Sequence, residues 1–177
     1  MRISPTLGQF MQSPSLIKHI RDILILPFTM AVVVPYLCYN SEQALLPPGI
    51  GWKILGAVIL LGGLGIFIWT VHLFRTFGKG TLAPWTPTQK LVVRGPYQYC
   101  RNPMITGVLF IQIGEVLLFN STNILVVAAI FFLVNTVYFI LKEEPDLFKR
   151  FGKDYEEYKE HVPRWVPRLT PYVQREA

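Results

Sequence analysis

Ile54–Phe74 reads ILGAVILLGGLGIFIWTVHLF, a run of 21 residues without Lys, Arg, Asp or Glu. A helix rises about 1.5 Å per residue, so crossing a hydrocarbon core of about 30 Å takes roughly 20 apolar residues. The stretch therefore predicts a membrane-spanning helix. Three further apolar blocks flank it: Ile23–Tyr39, Met104–Phe119 and Ile124–Leu141. The first holds Pro27 and Pro35, which remove backbone donors and kink a helix. The third is short and carries Gln112 and Glu115. The expected fold is all-α: a polytopic membrane protein with about four transmembrane helices.

Composition agrees. Only 16% of the 177 residues are charged, against about 25% in a typical soluble domain. The length suits one domain, 1–177. The net charge of +6 could suit nucleic acid, but no basic stripe with interleaved aromatics is present, so no nucleic-acid partner is expected. The charges sort by side instead. Of the 17 Lys and Arg residues, three precede the first block, five lie between the second and third, and eight follow the fourth. Only Lys53 falls on the opposite side. The positive-inside rule then makes both termini cytoplasmic. Cys38 and Cys100 fit neither a disulfide framework nor a metal site, and His19, His72 and His161 form no ligand pattern, so no metal is expected. The N-terminus does not read as a cleavable signal peptide, nor the C-terminal Gln-Arg-Glu-Ala as a prenylation box.

The third and fourth blocks are joined by Asn120–Asn123 alone, which predicts an antiparallel helical hairpin. Arg75–Pro103 is too long for a simple connector, and loops of that length usually carry function or are disordered. After Lys142, apolar residues recur at Leu147, Phe151, Tyr155, Tyr158 and Val162, one face of a cytoplasmic amphipathic C-terminal helix that could lie on the bilayer or cover a site. Gly56 and Gly63, and Gly107 and Gly114, are each seven apart and mark faces for close helix packing. Gln112 and Asn135 suit interhelical hydrogen bonds. Glu115 reads as a carboxylate near the far interface, and His72 and Arg75 as headgroup anchors.

Two stretches could carry chemistry. Leu91–Pro103 ends in Asn102-Pro103, an N-cap followed by a first-turn proline. The third helix should start there with free N–H groups and a positive dipole end, where a carboxylate or phosphate can bind, and Arg101 adds a charge. Lys142-Glu143-Glu144-Pro145-Asp146 lies where the fourth helix leaves the membrane. Pro145 disfavours helical geometry at Glu144, so a chain break is expected there. A carboxylate at that depth could hold an amine or ribose hydroxyls. Read from residues alone, a plain helix cap with a headgroup-binding Arg and a solvated charge cluster are the favoured explanations of the two stretches.

Arg94-Gly95-Pro96-Tyr97-Gln98-Tyr99-Cys100-Arg101-Asn102-Pro103, an apolar hairpin, Glu143-Glu144, and Phe151-Gly152-Lys153-Asp154-Tyr155-Glu156-Glu157-Tyr158 follow in that order. Together they resemble the isoprenylcysteine carboxyl methyltransferase and phospholipid methyltransferase group, over roughly residues 75–168, with 1–74 as N-terminal helices. The resemblance implies S-adenosylmethionine as cofactor, held between the hairpin and the cytoplasmic segments. By the same resemblance its binding residues are Gln89, Lys90, Leu91, Val92, Tyr97, Arg101, Asn102, Pro103, Met104, Ile105, Glu143 and Glu144. It implies a lipid-like or small hydrophobic acceptor. The sequence departs from the group twice: Asn102 stands where His is common, and Phe139 where the isoprenylcysteine enzymes carry an Arg.

A methyl sulfonium is already activated, so alignment and exclusion of water suffice and no general base is required. The expected reaction is direct in-line methyl transfer to an O, N or S atom. Trp85 and the tail helix are expected to close the site. The alternatives are a membrane reductase of the sterol type using a nicotinamide cofactor, and a non-enzymatic scaffold or transporter subunit.

Overall fold

The computed structural model describes residues 24–39, 44–78 and 90–173. Gln89, Trp85 and most of the Gly78–Pro87 stretch lie outside the described residues. The described chain is helical, with one isolated antiparallel bridge, Ala44 to Ser121, and no strand. Helix α1 comprises Leu24–Val33, in i→i+5 register, and Val34–Cys38. Helix α2 is Ile50–Leu73, extended by a wide turn at Phe74–Gly78. A short 3₁₀ turn at Gly95–Gln98 precedes α3, Pro103–Phe119. Helix α4, Thr122–Tyr138, runs through a wide turn at Phe139–Glu143 into α5, Glu144–Phe151. The last helix, α6, is Lys153–His161.

Two stretches are long and apolar enough to cross a membrane: Ile50–Gly78, 29 residues, and Thr122–Phe151, 30 residues. Their outer faces leave Val58, Leu61, Leu133 and Val134 about 60% exposed, an apolar surface that water would not tolerate at this extent. Helices α1 and α3 are apolar but shorter.

The tightest contact joins α2 to α3. A Cβ built on Gly63 would lie 2.6 Å from the Gly107 carbonyl oxygen, and one on Gly56 2.7 Å from that of Gly114. The two backbones therefore touch, as the seven-residue glycine spacing predicts. The turn between α3 and α4 is Asn120-Ser121, with Asn120 in the left-handed region at φ 50°. The Asn120 side chain clasps the α1–α2 connection: its Oδ1 accepts from the Leu45 and Leu46 N–H groups, and its Nδ2 donates to the Leu46 carbonyl at 2.7 Å. Asn123 donates to the Cys38 carbonyl at 3.0 Å. Both connections therefore sit at one end of an up-and-down bundle, and the charged segments at the other.

Gln112 bonds across helices as expected, donating to the Met30 carbonyl at 2.9 Å. In i→i+5 register Met30 would receive the N–H of residue 35, and Pro35 has none. Gln112 replaces the missing donor. Asn135 differs from expectation: it donates to Phe131 of its own helix at 2.8 Å, because it faces a cavity and not a neighbouring helix. The expected break at Glu144 does not occur either. Glu144 stays helical at φ −63°, ψ −43°, and its N–H bonds the Phe139 carbonyl across the wide turn. Widening the turn accommodates a proline without a break. The tail face is bent instead: Gly152, at φ 54°, splits it into α5 and α6. Tyr155, Tyr158, Val162 and Tyr172 form a buried cluster with Leu91 and Val93 packed on it, so protein and not the bilayer covers this face.

Gly63→Ala should lower stability by about 1–3 kcal/mol, the usual result of overpacking. Gly62→Ala, whose Cβ meets nothing within 4 Å, should be neutral or raise stability by roughly 0.5–1 kcal/mol. Thermal unfolding of both variants in one mild detergent checks the contrast.

Candidate functional site

A cavity of about 990 Å³ opens at the charged end of the bundle, between α1, the first half of α3, α4 and the segments after α4. Its inner half is apolar, walled by Met30, Val34, Phe67, Val108, Val127 and Phe131. Its outer half is polar, with Arg101, Asn102, Asn135, Glu143 and Arg150. Drug-sized ligands occupy pockets of about 300–1,000 Å³, so the volume suits more than one small ligand part.

Local structure explains how each wall is held. The loop 98–101 pairs with the C-terminal segment: the Arg101 N–H donates to the Pro163 carbonyl at 2.9 Å, and the Arg168 and Tyr172 N–H groups donate to the Tyr99 and Gln98 carbonyls at 3.0 Å. The Tyr158 hydroxyl donates to the Tyr97 carbonyl at 2.7 Å. Burial pushes the Tyr97 and Tyr158 hydroxyls well above their ordinary range and Tyr155 up to about 12, so all three stay protonated at neutral pH. None of them supplies a base. Asn102 occupies the N-cap position of α3, but its side chain makes no cap hydrogen bond, contrary to a plain capping role. Its amide is left to the cavity, beside the first-turn residues Met104 and Ile105.

Glu143 and Glu144 are neighbours with different surroundings. Glu144 is buried and receives three cations: Arg164 Nε at 2.7 Å, Arg101 Nη1 at 2.9 Å and Lys159 Nζ at 3.3 Å. Arg101 also donates to the Tyr155 hydroxyl at 3.3 Å. Arg101 is thus held by Glu144 and Tyr155 through Nη1, while its Nε is buried without a hydrogen-bond partner. Glu143 lines the cavity and makes no ion pair among the described residues.

Of the residues singled out in the sequence, Leu91, Val92, Tyr97, Arg101, Asn102, Met104, Ile105, Glu143 and Glu144 line this one cavity. Pro103 is buried behind it as the first residue of α3, and Lys90 is exposed away from it. Gln89 lies outside the described residues. Sequence reading missed the contribution of α1 through Met30 and Val34, which no motif announces. It also missed Tyr155 and Tyr158 as cavity walls, although their helical spacing marked them as buried.

Residues 52–154 match the sequence model of the phospholipid methyltransferase family, more than half of the chain. No curated protein sequence matches the chain significantly.

The two carboxylates should separate on substitution. Glu144→Gln leaves three cations sharing a neutral amide and should lower stability by on the order of 3 kcal/mol, the low end for breaking a buried pair, since Lys159 is half exposed. Glu143→Gln should raise the melting temperature, because it removes a buried charge that no ion pair among the described residues offsets. Detergent unfolding curves of both variants decide it.

Proposed function

The chain belongs to the phospholipid methyltransferase family, and on that premise we propose that it transfers the methyl group of S-adenosylmethionine to a lipid-like or membrane-soluble acceptor. The observation that carries this reading is the two-part cavity. One polar half holds the Glu143 carboxylate, which makes no ion pair among the described residues, and one apolar half reaches between the helices. In this reading the polar half takes the cofactor. Glu143 holds its amine or ribose hydroxyls. The Asn102 amide, the α3 start at Met104 and Ile105, and the unpaired Nε of Arg101 receive its carboxylate. Tyr97, Leu91 and Val92 line the same half, and Gln89, Lys90 and Pro103 carry over from the resemblance. Glu144 acts one step back, fixing Arg101.

S-adenosylmethionine supplies an activated methyl sulfonium when bound, so the protein's task is alignment and exclusion of water. The tyrosines of the lining stay protonated and supply no base, and the Glu143 carboxylate is assigned here to the cofactor, so the reading is direct in-line transfer, which needs no general base. The acceptor tail lies along Met30, Val127 and Phe131. Phe139 is buried under Trp165, ring centroids 5.7 Å apart, and offers no charge to a substrate carboxylate. That favours a lipid-like acceptor over a prenylated cysteine. The family match favours this reading over a nicotinamide-dependent reductase or a scaffold.

The proposed topology has four crossings with both termini cytoplasmic. It draws support from the up-and-down bundle and from the single Lys53 at the Asn120 end.

Calorimetric titration should give saturable S-adenosylmethionine binding to the detergent-purified protein. Glu143→Ala should weaken it about tenfold or more, the loss of at least one charge-assisted hydrogen bond. No binding by folded protein would overturn the reading.

A further inference from the structure

We propose that the protein carries a second lipid site, in which Lys159 and Arg164 hold the phosphate of an anionic phospholipid on the outer side of Glu144. It rests on α4 lying in a membrane, and not on the methyl-transfer chemistry.

A smaller cavity of about 370 Å³ lies there, walled by Ile140, Phe148, Glu156, Lys159 and Arg164 with Glu144 at its base. Neither Lys159 nor Arg164 lines the main cavity. Three cations converge on the single Glu144 carboxylate, so it cannot match them all. Within this cavity Lys159 and Arg164 face Glu144 and Glu156, but Glu144 is shared with Arg101 from the main-cavity side, so the half-exposed Lys159 is left short of a full counter-charge. An anion is the chemistry this arrangement lacks. Lys159 is half exposed and already faces outward, so an anion can reach it without displacing Glu144.

The surroundings make that anion a lipid. Ile140 belongs to the long apolar helix and is 45% exposed, and Phe148 is 49% exposed. Trp165, next to Arg164, packs on Phe132 and Phe139 of that helix, with ring centroids 5.1 and 5.7 Å away. The segment after it therefore runs beside the lipid-facing side of α4. There it presents Val166, Leu169 and Val173, 71–99% exposed. Cations next to exposed apolar surface match a phosphate above acyl chains. A soluble phosphate would gain nothing from that apolar strip.

Native mass spectrometry of the full chain in neutral detergent, titrated with dioleoylphosphatidylglycerol or dioleoylphosphatidylcholine, tests this. Phosphatidylglycerol should bind more tightly, with the difference shrinking as salt rises. Lys159→Ala should lower its affinity about fivefold, the typical effect of one interfacial cation. Glu156→Gln should raise it, a gain that misfolding cannot mimic. Phosphatidylcholine binding should move in neither variant. Equal retention of the two lipids, or no response to either substitution, overturns the proposal. Displacement of phosphatidylglycerol by millimolar inorganic phosphate also overturns it, assigning the site to a free anion. S-adenosylmethionine takes no part in this readout, so failure of the methyltransferase reading would leave it standing.

Discussion

Helices α2 and α3 meet backbone to backbone at Gly63–Gly107 and Gly56–Gly114, and the rest of the molecule is positioned from that contact. In lipid there is no hydrophobic force to press two apolar helices together, so close van der Waals packing has to do it. Glycine permits the approach, and it does so twice on each helix at the same seven-residue spacing. The pairing fixes where α3 begins. The α3 start at Pro103 in turn fixes Arg101 and Asn102, which are the floor of the polar half of the cavity. A side chain at Gly63 or Gly107 would move the helix start that the site is built on, although neither glycine lines the cavity.

The second constraint is proline. Pro35 and Pro145 each lack a donor, and both helices respond with i→i+5 turns in place of breaks. At Pro35 the unmatched carbonyl is met by Gln112 from α3, which ties α1 to the pair already fixed by glycine. This is why α1 can wall the cavity although it contributes no recognisable motif. A polar side chain on an apolar helix here serves packing, and its specificity comes from the one carbonyl that α1 leaves open.

These relations set what was legible in the sequence. Periodicity is local, so the apolar blocks, the glycine faces and the buried spacing of Tyr155 and Tyr158 could be read directly. The Arg94–Pro103 stretch and Glu143 could be marked because capping and unusual acids are local signals too. The C-terminal strap could not. Its hydrogen bonds to Gln98, Tyr99 and Arg101 run through backbone groups, which almost any residue provides. The continuation of α4 through Glu144 was missed because a wide turn has no sequence signature, and proline alone predicts a stop. Gly152 lay in plain view, but the apolar spacing carries on across it, so a single helix fitted the pattern equally well.

The adjacent acids show how that turn becomes chemistry. Successive residues on a helix point about 100° apart, so Glu143 and Glu144 cannot share one environment. The i→i+5 turn at Phe139–Glu143 sets which of them faces inward. Glu144 turns to Arg101 and to the tail cations Lys159 and Arg164 and is neutralised several times over. Glu143 turns to the cavity and meets no cation in an ion pair among the described residues. A carboxylate so placed is an unfavourable burial unless a ligand matches it. In the proposed function, the cost of burying Glu143 without an ion pair among the described residues becomes binding energy when a positively charged or hydroxyl-bearing ligand arrives. In the proposed function the ion-paired acid holds the wall and its neighbour recognises the ligand, and exchanging their positions by one residue of helix register would remove both roles.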